Sequence, residues 1–144
     1  MQIHLIIIGI ILIFLAFIHL IFPKYFKWEK EFHPLSLINR QIMKVHTLFI
    51  ALTVFLMGLL CLTSTNELTE TSLGKKIILG LAIFWSTRLI VQFFGYSSKL
   101  WKGKVFETAV HIIFSLLWIY MSFSFWLIYF NHTTMYLKII SIFG

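Results

Sequence analysis

The sequence predicts an all-α integral membrane protein whose four helices form one antiparallel bundle. Of the 144 residues, 60% are hydrophobic and only 12% are charged, whereas soluble domains average about 45–50% apolar and about 25% charged residues. The mean hydropathy of the chain is +0.93. The apolar residues also fall into four runs, each long enough to cross a bilayer, for which a helix needs about 20 residues.

The first predicted helix covers about residues 3–22 and ends at Pro23, because proline interrupts the hydrogen-bond ladder of a helix. This apolar start has no basic n-region and no small-residue cleavage site, so we interpret it as a retained helix rather than a signal peptide. The segment after it mixes lysines with aromatic residues. Such a mixture is typical of a short amphipathic segment at the membrane interface, here between helices 1 and 2.

The second predicted helix covers about residues 36–63, with Ser36 as its N-cap. A polar, turn-like stretch leads to the third helix, at about 73–95, and a short basic stretch leads to the fourth, at about 105–130. The apolar tail after the fourth helix is too short to span a bilayer, so it is expected either to lie on the membrane surface or to extend that helix. No repeat or linker divides the sequence, and residues 1–144 are predicted to form a single transmembrane domain.

The net charge of +7 does not indicate nucleic-acid binding, because the basic residues cluster at the ends of the apolar segments. There they fit the positive-inside bias and an attraction to anionic lipid in the bilayer. Trp28, Trp101 and Trp126 are expected to be interfacial belt residues. Eight lysines and arginines flank connections 1 and 3, and three flank connection 2 and the tail. The bias predicts a multi-pass inner-membrane protein with connections 1 and 3 in the cytoplasm and both termini outside.

The only cysteine, Cys61, lies inside an apolar run. An intramolecular disulfide and a redox site built on two cysteines are therefore excluded. We interpret Cys61 as a small packed side chain.

Ionisable and amide side chains inside the apolar segments indicate a candidate site, because such groups are costly in a membrane. The sequence places a group of them in the cytoplasmic half of the predicted bundle, with at least one on each helix. Helical spacing puts Arg88 and Gln92 on one face of helix 3, and Glu107 and His111 on one face of helix 4. The predicted site residues are His19, His46, Arg88, Gln92, Glu107 and His111.

Two kinds of cofactor or ligand suit this group. Haem b would take His46 and His111 as iron ligands, with His19 able to replace either one and Arg88 paired with a propionate. A quinone or another lipid-like ligand would use the same donors for its head, and the many aromatic side chains would line a channel for its tail.

In either case Gln92 would orient the bound group, and Glu107 would pair with Arg88 or carry protons. A third hypothesis is a metal-dependent enzyme acting on a lipid-like substrate, since three histidines with Glu107 could bind zinc. The spacing of Glu107 and His111 matches neither the H-E-x-x-H motif nor the Glu-x-x-His of di-iron bundles. Whether the chain is an enzyme is left open.

The same residues also allow a purely structural interpretation. Arg88 would extend to the headgroups, and His111 would bond to a neighbouring hydroxyl or carbonyl. The chain would then be a non-enzymatic accessory subunit or small transporter, forming a homo-oligomer or part of a larger membrane complex. Close helix contacts would be marked by Gly58, Gly80 and Gly95.

Overall fold

The computed structural model describes residues 1–143, and the side chains of Ser98 and of residues 132–143 lie outside that description. Helices joined by short turns account for residues 1–143, with no strand among them, which confirms the all-α class. Within these residues, four helices are long and apolar enough to cross a membrane: Gln2–Tyr25, Leu37–Thr63, Ser72–Phe94 and Val105–Asn131. They indicate a multi-pass membrane protein.

Two short helices accompany the four long ones. In chain order the helices are α1 (Gln2–Tyr25), α2 (Trp28–Glu31), α3 (Leu37–Thr63), α4 (Thr65–Glu70), α5 (Ser72–Phe94) and α6 (Val105–Phe143). A 3₁₀ turn at Ser98–Leu100 lies between α5 and α6. Because α6 continues through the tail, the second of the two expectations for that segment holds: it extends the fourth helix.

The sequence predicts that proline ends the first helix at residue 22, but the helix continues past it. Pro23 lies inside α1, which continues to Tyr25, and the Phe26 N–H donates to the Phe22 carbonyl at 2.9 Å. Pro23 has no N–H to donate to the carbonyl of His19. A proline this close to a helix end therefore removes one hydrogen bond without stopping the helix.

Short polar side chains fix where two of the helices begin. Ser36 is the N-cap of α3, as predicted, and its hydroxyl accepts from the Asn39 N–H at 3.4 Å. Thr71 caps α5 by accepting from the Gly74 N–H at 2.9 Å, and it donates to the Glu67 carbonyl at 2.8 Å. One threonine thus ends α4, which the sequence did not predict, and begins α5.

Two compact units make up the chain: Gln2–Thr65, and Asn66–Gly144 together with Met1. We call α1, α2 and α3 with their connections the first hairpin, and α5 and α6 with the loop between them the second hairpin. Each is described by itself.

The first hairpin is packed through glycines. A Cβ on Gly58 would lie 2.9 Å from the Gly9 carbonyl oxygen and 3.0 Å from Cγ1 of Ile13, and a Cβ on Gly9 would lie 2.6 Å from Cγ of Leu62. Gly9 thus faces Leu62 while Ile13 faces Gly58, so the two helices are antiparallel. Small residues let backbones approach closely, which favours dispersion contacts between helices in lipid. Its buried apolar side chains include Leu5, Ile8, Leu12, Leu15, Ala51, Val54 and Cys61.

The second hairpin is packed through large aromatic rings. The rings of Trp85 and Trp118 stack with centroids 5.3 Å apart and an interplanar angle of 15°. Further along, the Trp126 indole N–H donates to the Ser86 hydroxyl at 3.0 Å. Ser86 contacts Trp126, whereas Gln92, later on α5, contacts His111, earlier on α6, so these two helices are also antiparallel.

Candidate ligand site in the second hairpin

A polar network lies at the end of the second hairpin where α5 ends and α6 begins. Arg88 and Gln92 come from α5, one helical turn apart, and His111 and Trp118 come from α6, two turns apart, so each pair shares a face of its helix. Gln92 is 5% exposed and Trp118 is 3% exposed. The network therefore lies between the two helices rather than on their outer surfaces.

The Gln92 amide joins the other three side chains. Its oxygen accepts from Arg88 Nη1 at 3.1 Å and from the Trp118 indole N–H at 3.3 Å. Its nitrogen lies 2.8 Å from Nδ1 of His111. Guanidinium and indole groups only donate hydrogen bonds. The Gln92 oxygen must therefore face Arg88 and Trp118, which leaves the NH₂ group to face the histidine.

This amide orientation selects one form of the His111 ring. The NH₂ group of Gln92 donates to Nδ1, so Nδ1 carries no proton and the neutral ring carries its hydrogen on Nε2. Among the described residues, none accepts a hydrogen bond from that Nε2–H. His111 is only partly buried, so it presents a free donor at the end of the network.

Trp101 covers the face of the His111 ring. The two ring centroids are 3.9 Å apart and the planes differ by 9°. The Thr108 hydroxyl lies 2.8 Å from the Trp101 carbonyl oxygen and 2.7 Å from the Lys104 carbonyl oxygen, so its one hydrogen is shared between these two acceptors. The Trp101 carbonyl also accepts from the Lys104 N–H at 3.0 Å. Gly103, with φ +82°, supplies a left-handed residue in this turn. The loop is thereby folded back on α6.

The Arg88 guanidinium is held by aromatic rings rather than by a carboxylate. Its central carbon lies 4.8 Å from the centroid of the Trp118 ring and 5.8 Å from that of Tyr96. No ion pair joins Arg88 to an acidic side chain within the part of the chain that the structure describes. Cation–π contacts stabilise a desolvated cation by about 2 kcal/mol or more, but they leave its remaining N–H groups available.

Two further polar atoms are buried without partners on the same pair of helices. The indole Nε1 of Trp85 and the hydroxyl of Ser122 have no hydrogen-bond partner among the described residues. Trp85 is 2% exposed and stacks on Trp118. An orphaned buried donor is uncommon in native structures and calls for an explanation.

Of the six residues predicted from the sequence, three are brought into contact: Arg88, Gln92 and His111. Glu107, one turn before His111, is exposed and forms no ion pair with any described residue. It lies in the first turn of α6, where a carboxylate interacts favourably with the helix dipole. The predicted pairing partner of Arg88 is thus replaced by the amide of Gln92.

The other two predicted residues belong to the first hairpin. The His19 ring nitrogen Nδ1 lies 2.8 Å from the Leu15 carbonyl of its own helix, and His46 is exposed on α3. The pairing of Gly9 with Leu62 and of Ile13 with Gly58 puts His46 level with the end of α1. That level is about 9 Å along the axis from His19. The two histidines therefore do not share a depth within this hairpin.

The described residues contain no group of three or more His, Cys, Asp or Glu side chains that could hold a metal ion. The network instead offers hydrogen-bond donors: the remaining N–H groups of Arg88 and Nε2–H of His111. Both belong to one chain of contacts through Gln92, and aromatic rings surround them. Such an arrangement suits a bound group that supplies acceptor oxygens.

Three aromatic residues at this site were not predicted as part of it. Trp118 lies two turns after His111, so helical phase could have revealed it, whereas Tyr96 and Trp101 come from the loop after α5. Trp101 was expected to be a belt residue. Its position depends on the turn at Gly103 and the bond from Thr108, for which the sequence offers no periodic signal.

Comparison with protein families, with curated proteins and with solved structures found no match to this chain.

Proposed function

We propose that this chain is a membrane-embedded binding protein for a lipid-like ligand whose head carries acceptor oxygens, such as the carbonyl groups of a quinone. One observation carries the proposal. The Gln92 oxygen already accepts two hydrogen bonds, whereas Arg88 and His111 have N–H groups that donate to no described residue. Unsatisfied donors in apolar surroundings are costly. A ligand oxygen would satisfy them.

The location of the network favours a lipid-like ligand over a soluble one. Arg88, Gln92 and His111 all lie within helices that are apolar enough to span a bilayer. Ligand sites are mostly apolar with a few placed polar groups, and here Trp101, Trp118 and other rings supply the apolar walls. A ligand with an apolar tail would reach these donors from within the membrane.

Haem b fits the observed network less well. An iron ligand at Nε2 of His111 would need that atom unprotonated, which moves the ring hydrogen to Nδ1. Arg88 and Trp118 hold the amide oxygen of Gln92, so its NH₂ group would still face Nδ1. Two hydrogen-bond donors would then point at each other. We therefore place quinone-like ligands ahead of haem.

Two further parts of the proposal come from the sequence. One is that the four long helices form a single antiparallel bundle with an interfacial segment after α1, which short polar connections favour. The other is insertion in the inner membrane with both termini outside, which the eight-to-three bias of basic residues favours. In this proposal His19, His46 and Glu107 keep supporting roles, each to be tested by substitution.

The ligand proposal is tested by titrating the detergent-purified full chain with a short-chain quinone while following tryptophan fluorescence. Trp101 stacks on His111, and Trp118 bonds to Gln92, so a quinone bound at this site should quench emission. Arg88→Gln and His111→Phe should each weaken binding about tenfold or more, because each removes donors to the ligand. Matched controls are Arg40→Gln and His33→Gln in the first hairpin, which should bind like the parent.

Equal weakening by the control variants, or no quenching at all, would contradict the proposal. An absorption spectrum of the same sample, oxidised and then reduced, gives an independent check. A Soret band that shifts on reduction would replace the quinone proposal with haem. A colourless chain that binds no quinone and co-purifies with other membrane proteins would favour an accessory subunit.

A further inference from the structure

The first hairpin contains an open cleft of about 420 Å³ at the end of α1. Its walls come from the last turn of α1, from α2 and the turn before it, and from one position on α3. The lining residues are Pro23, Lys24, Lys27, Trp28, Glu29, Lys30 and Lys44. None of them belongs to the network of the second hairpin.

The cleft is strongly positive. Four lysines and one glutamate line it, and among the described residues none of the four lysines forms an ion pair. Like charges gathered around one cleft repel each other. An anion bound in the cleft would relieve that repulsion, whereas an uncharged ligand would not.

Arg40 adds a second observation. It lies one helical turn before Lys44 on α3, so the two side chains share a face. Its Nε atom is buried and has no hydrogen-bond partner within the described residues. A buried guanidinium nitrogen without an acceptor, one helical turn from the cleft residue Lys44, indicates that an acceptor group belongs near this end of α3.

The backbone of Lys27 shapes the cleft. This residue has φ +51° and is the only non-glycine residue with positive φ in the described chain. Its carbonyl accepts from the N–H groups of Lys30 and Glu31 at 2.9 and 3.2 Å. The left-handed residue turns the chain out of α1 and into α2, which places Lys27 and Lys30 at the same cleft.

We infer that this cleft binds the phosphate group of an anionic phospholipid. Phosphate oxygens are the acceptors that lysine and arginine groups take. The surroundings favour a lipid source over a soluble phosphate, because Pro23 and Trp28 line the cleft. The exposed rings of Tyr25 and Phe26 also lie in the short stretch of chain between two of its lysines. Aromatic side chains of this kind lie at the headgroup level of membranes, with the acyl chains continuing along the hairpin.

Native mass spectrometry of the full chain in an uncharged detergent tests the inference by counting bound lipids during titration with phosphatidylglycerol. The test variant combines Lys27→Asn with Lys44→Gln, since asparagine tolerates left-handed backbone. Its affinity for phosphatidylglycerol should fall about tenfold or more. The matched control combines Lys99→Gln with Lys102→Gln, which removes the same charge from the loop after α5 and should change the affinity less than about twofold.

Equal loss in both double variants would overturn the inference, because it would reflect net charge alone. Phosphatidylcholine binding as tightly as phosphatidylglycerol would also overturn it, as would displacement of the lipid by inorganic phosphate at equal concentration. If the test variant fails to fold, a second double variant, Lys24→Gln with Lys30→Gln, is titrated with phosphatidylglycerol in its place and should show the same loss of affinity. The affinity for quinone should be unchanged in all these variants. A negative result for lipid binding would therefore leave the proposed quinone site untouched, and the reverse also holds.

Discussion

The two hairpins have similar helices but are held together differently. In the first hairpin Gly9 meets Gly58 and most of the buried side chains are aliphatic. In the second hairpin large rings stack, and side-chain hydrogen bonds cross from α5 to α6 at Gln92 and at Ser86. Even the buried Thr47 of the first hairpin donates to the Met43 carbonyl of its own helix.

The comparison separates packing from binding. Interhelical hydrogen bonds in membranes contribute only about 0.6 kcal/mol each on average, whereas close glycine packing holds the helices of the first hairpin together. The stability of the helix pair therefore does not explain why the second hairpin contains the Arg88 cation and the unpartnered Trp85 indole. The second hairpin is therefore the better place to look for a quinone-like ligand.

Replacing Gly58 with Leu should have the largest effect on stability. The new Cβ alone would lie 2.9 Å from the Gly9 carbonyl oxygen, so the helices must separate, at a cost of about 3 kcal/mol in the free energy of unfolding. The rate at which maleimide labels the buried Cys61 measures the effect and should rise. Gly80→Leu is the control, since a Cβ at Gly80 meets nothing within 4 Å. Equal labelling of Cys61 in both variants would mean that the glycine contact does not hold this hairpin.

Replacing Gln92 with Leu should destabilise the second hairpin by about 2 kcal/mol, because the donors of Arg88 and Trp118 lose their shared acceptor. Reversible unfolding in a denaturing detergent, followed by tryptophan fluorescence, measures this change. Gln41→Leu on the exposed face of α3 is the matched control and should leave the transition unchanged. A Gln92 variant as stable as the parent would mean that the network is not connected through this amide.

Replacing Trp101 with Leu should have a smaller effect, about 1 kcal/mol, because it removes one stacked ring from His111. The ring protons of His111 should lose their ring-current shift in an NMR spectrum. Trp28→Leu in the first hairpin removes an equal ring, here one that packs on Phe32, and should leave those protons unchanged. An unshifted His111 signal in the parent protein would contradict the stacking.

The smallest expected effect is that of Thr108→Val, which keeps the size of the side chain but removes its hydroxyl. The bond to the Trp101 carbonyl is lost, at a cost of about 0.5–1 kcal/mol. Quinone affinity should fall only a few-fold, by less than in Arg88→Gln, because the donors to the ligand remain. An affinity loss as large as that of Arg88→Gln would mean that the loop contributes directly to quinone binding, and not only by holding Trp101 in place.

Prediction from the sequence succeeded where a regular helix carries the information. Apolar run length identified the four long helices, and helical phase brought Arg88, Gln92 and His111 to one place. It failed where geometry is set by turns. The left-handed Lys27, the cap at Thr71 and the folded loop of Trp101 depend on local backbone conformations that leave no periodic pattern in the sequence.

Depth was harder to predict than phase. His19 and His46 were both expected in the cytoplasmic half of the bundle, and the register of α1 against α3 separates their levels by about 9 Å. That register depends on which small residues meet, here Gly9 with Gly58. A count of residues from each helix end cannot identify that meeting point, because the ends themselves extend by a turn, as α1 does beyond Pro23.

The stacked indoles of Trp85 and Trp118 also have an optical consequence. Two chromophores at this separation and angle share their electronic excitation, so the folded second hairpin should give an exciton couplet in circular dichroism. Trp28, the one tryptophan of the first hairpin, has no indole partner there and adds nothing to that couplet. The protein thus contains its own spectroscopic label for one half of the chain, which can be followed without a ligand or an added dye.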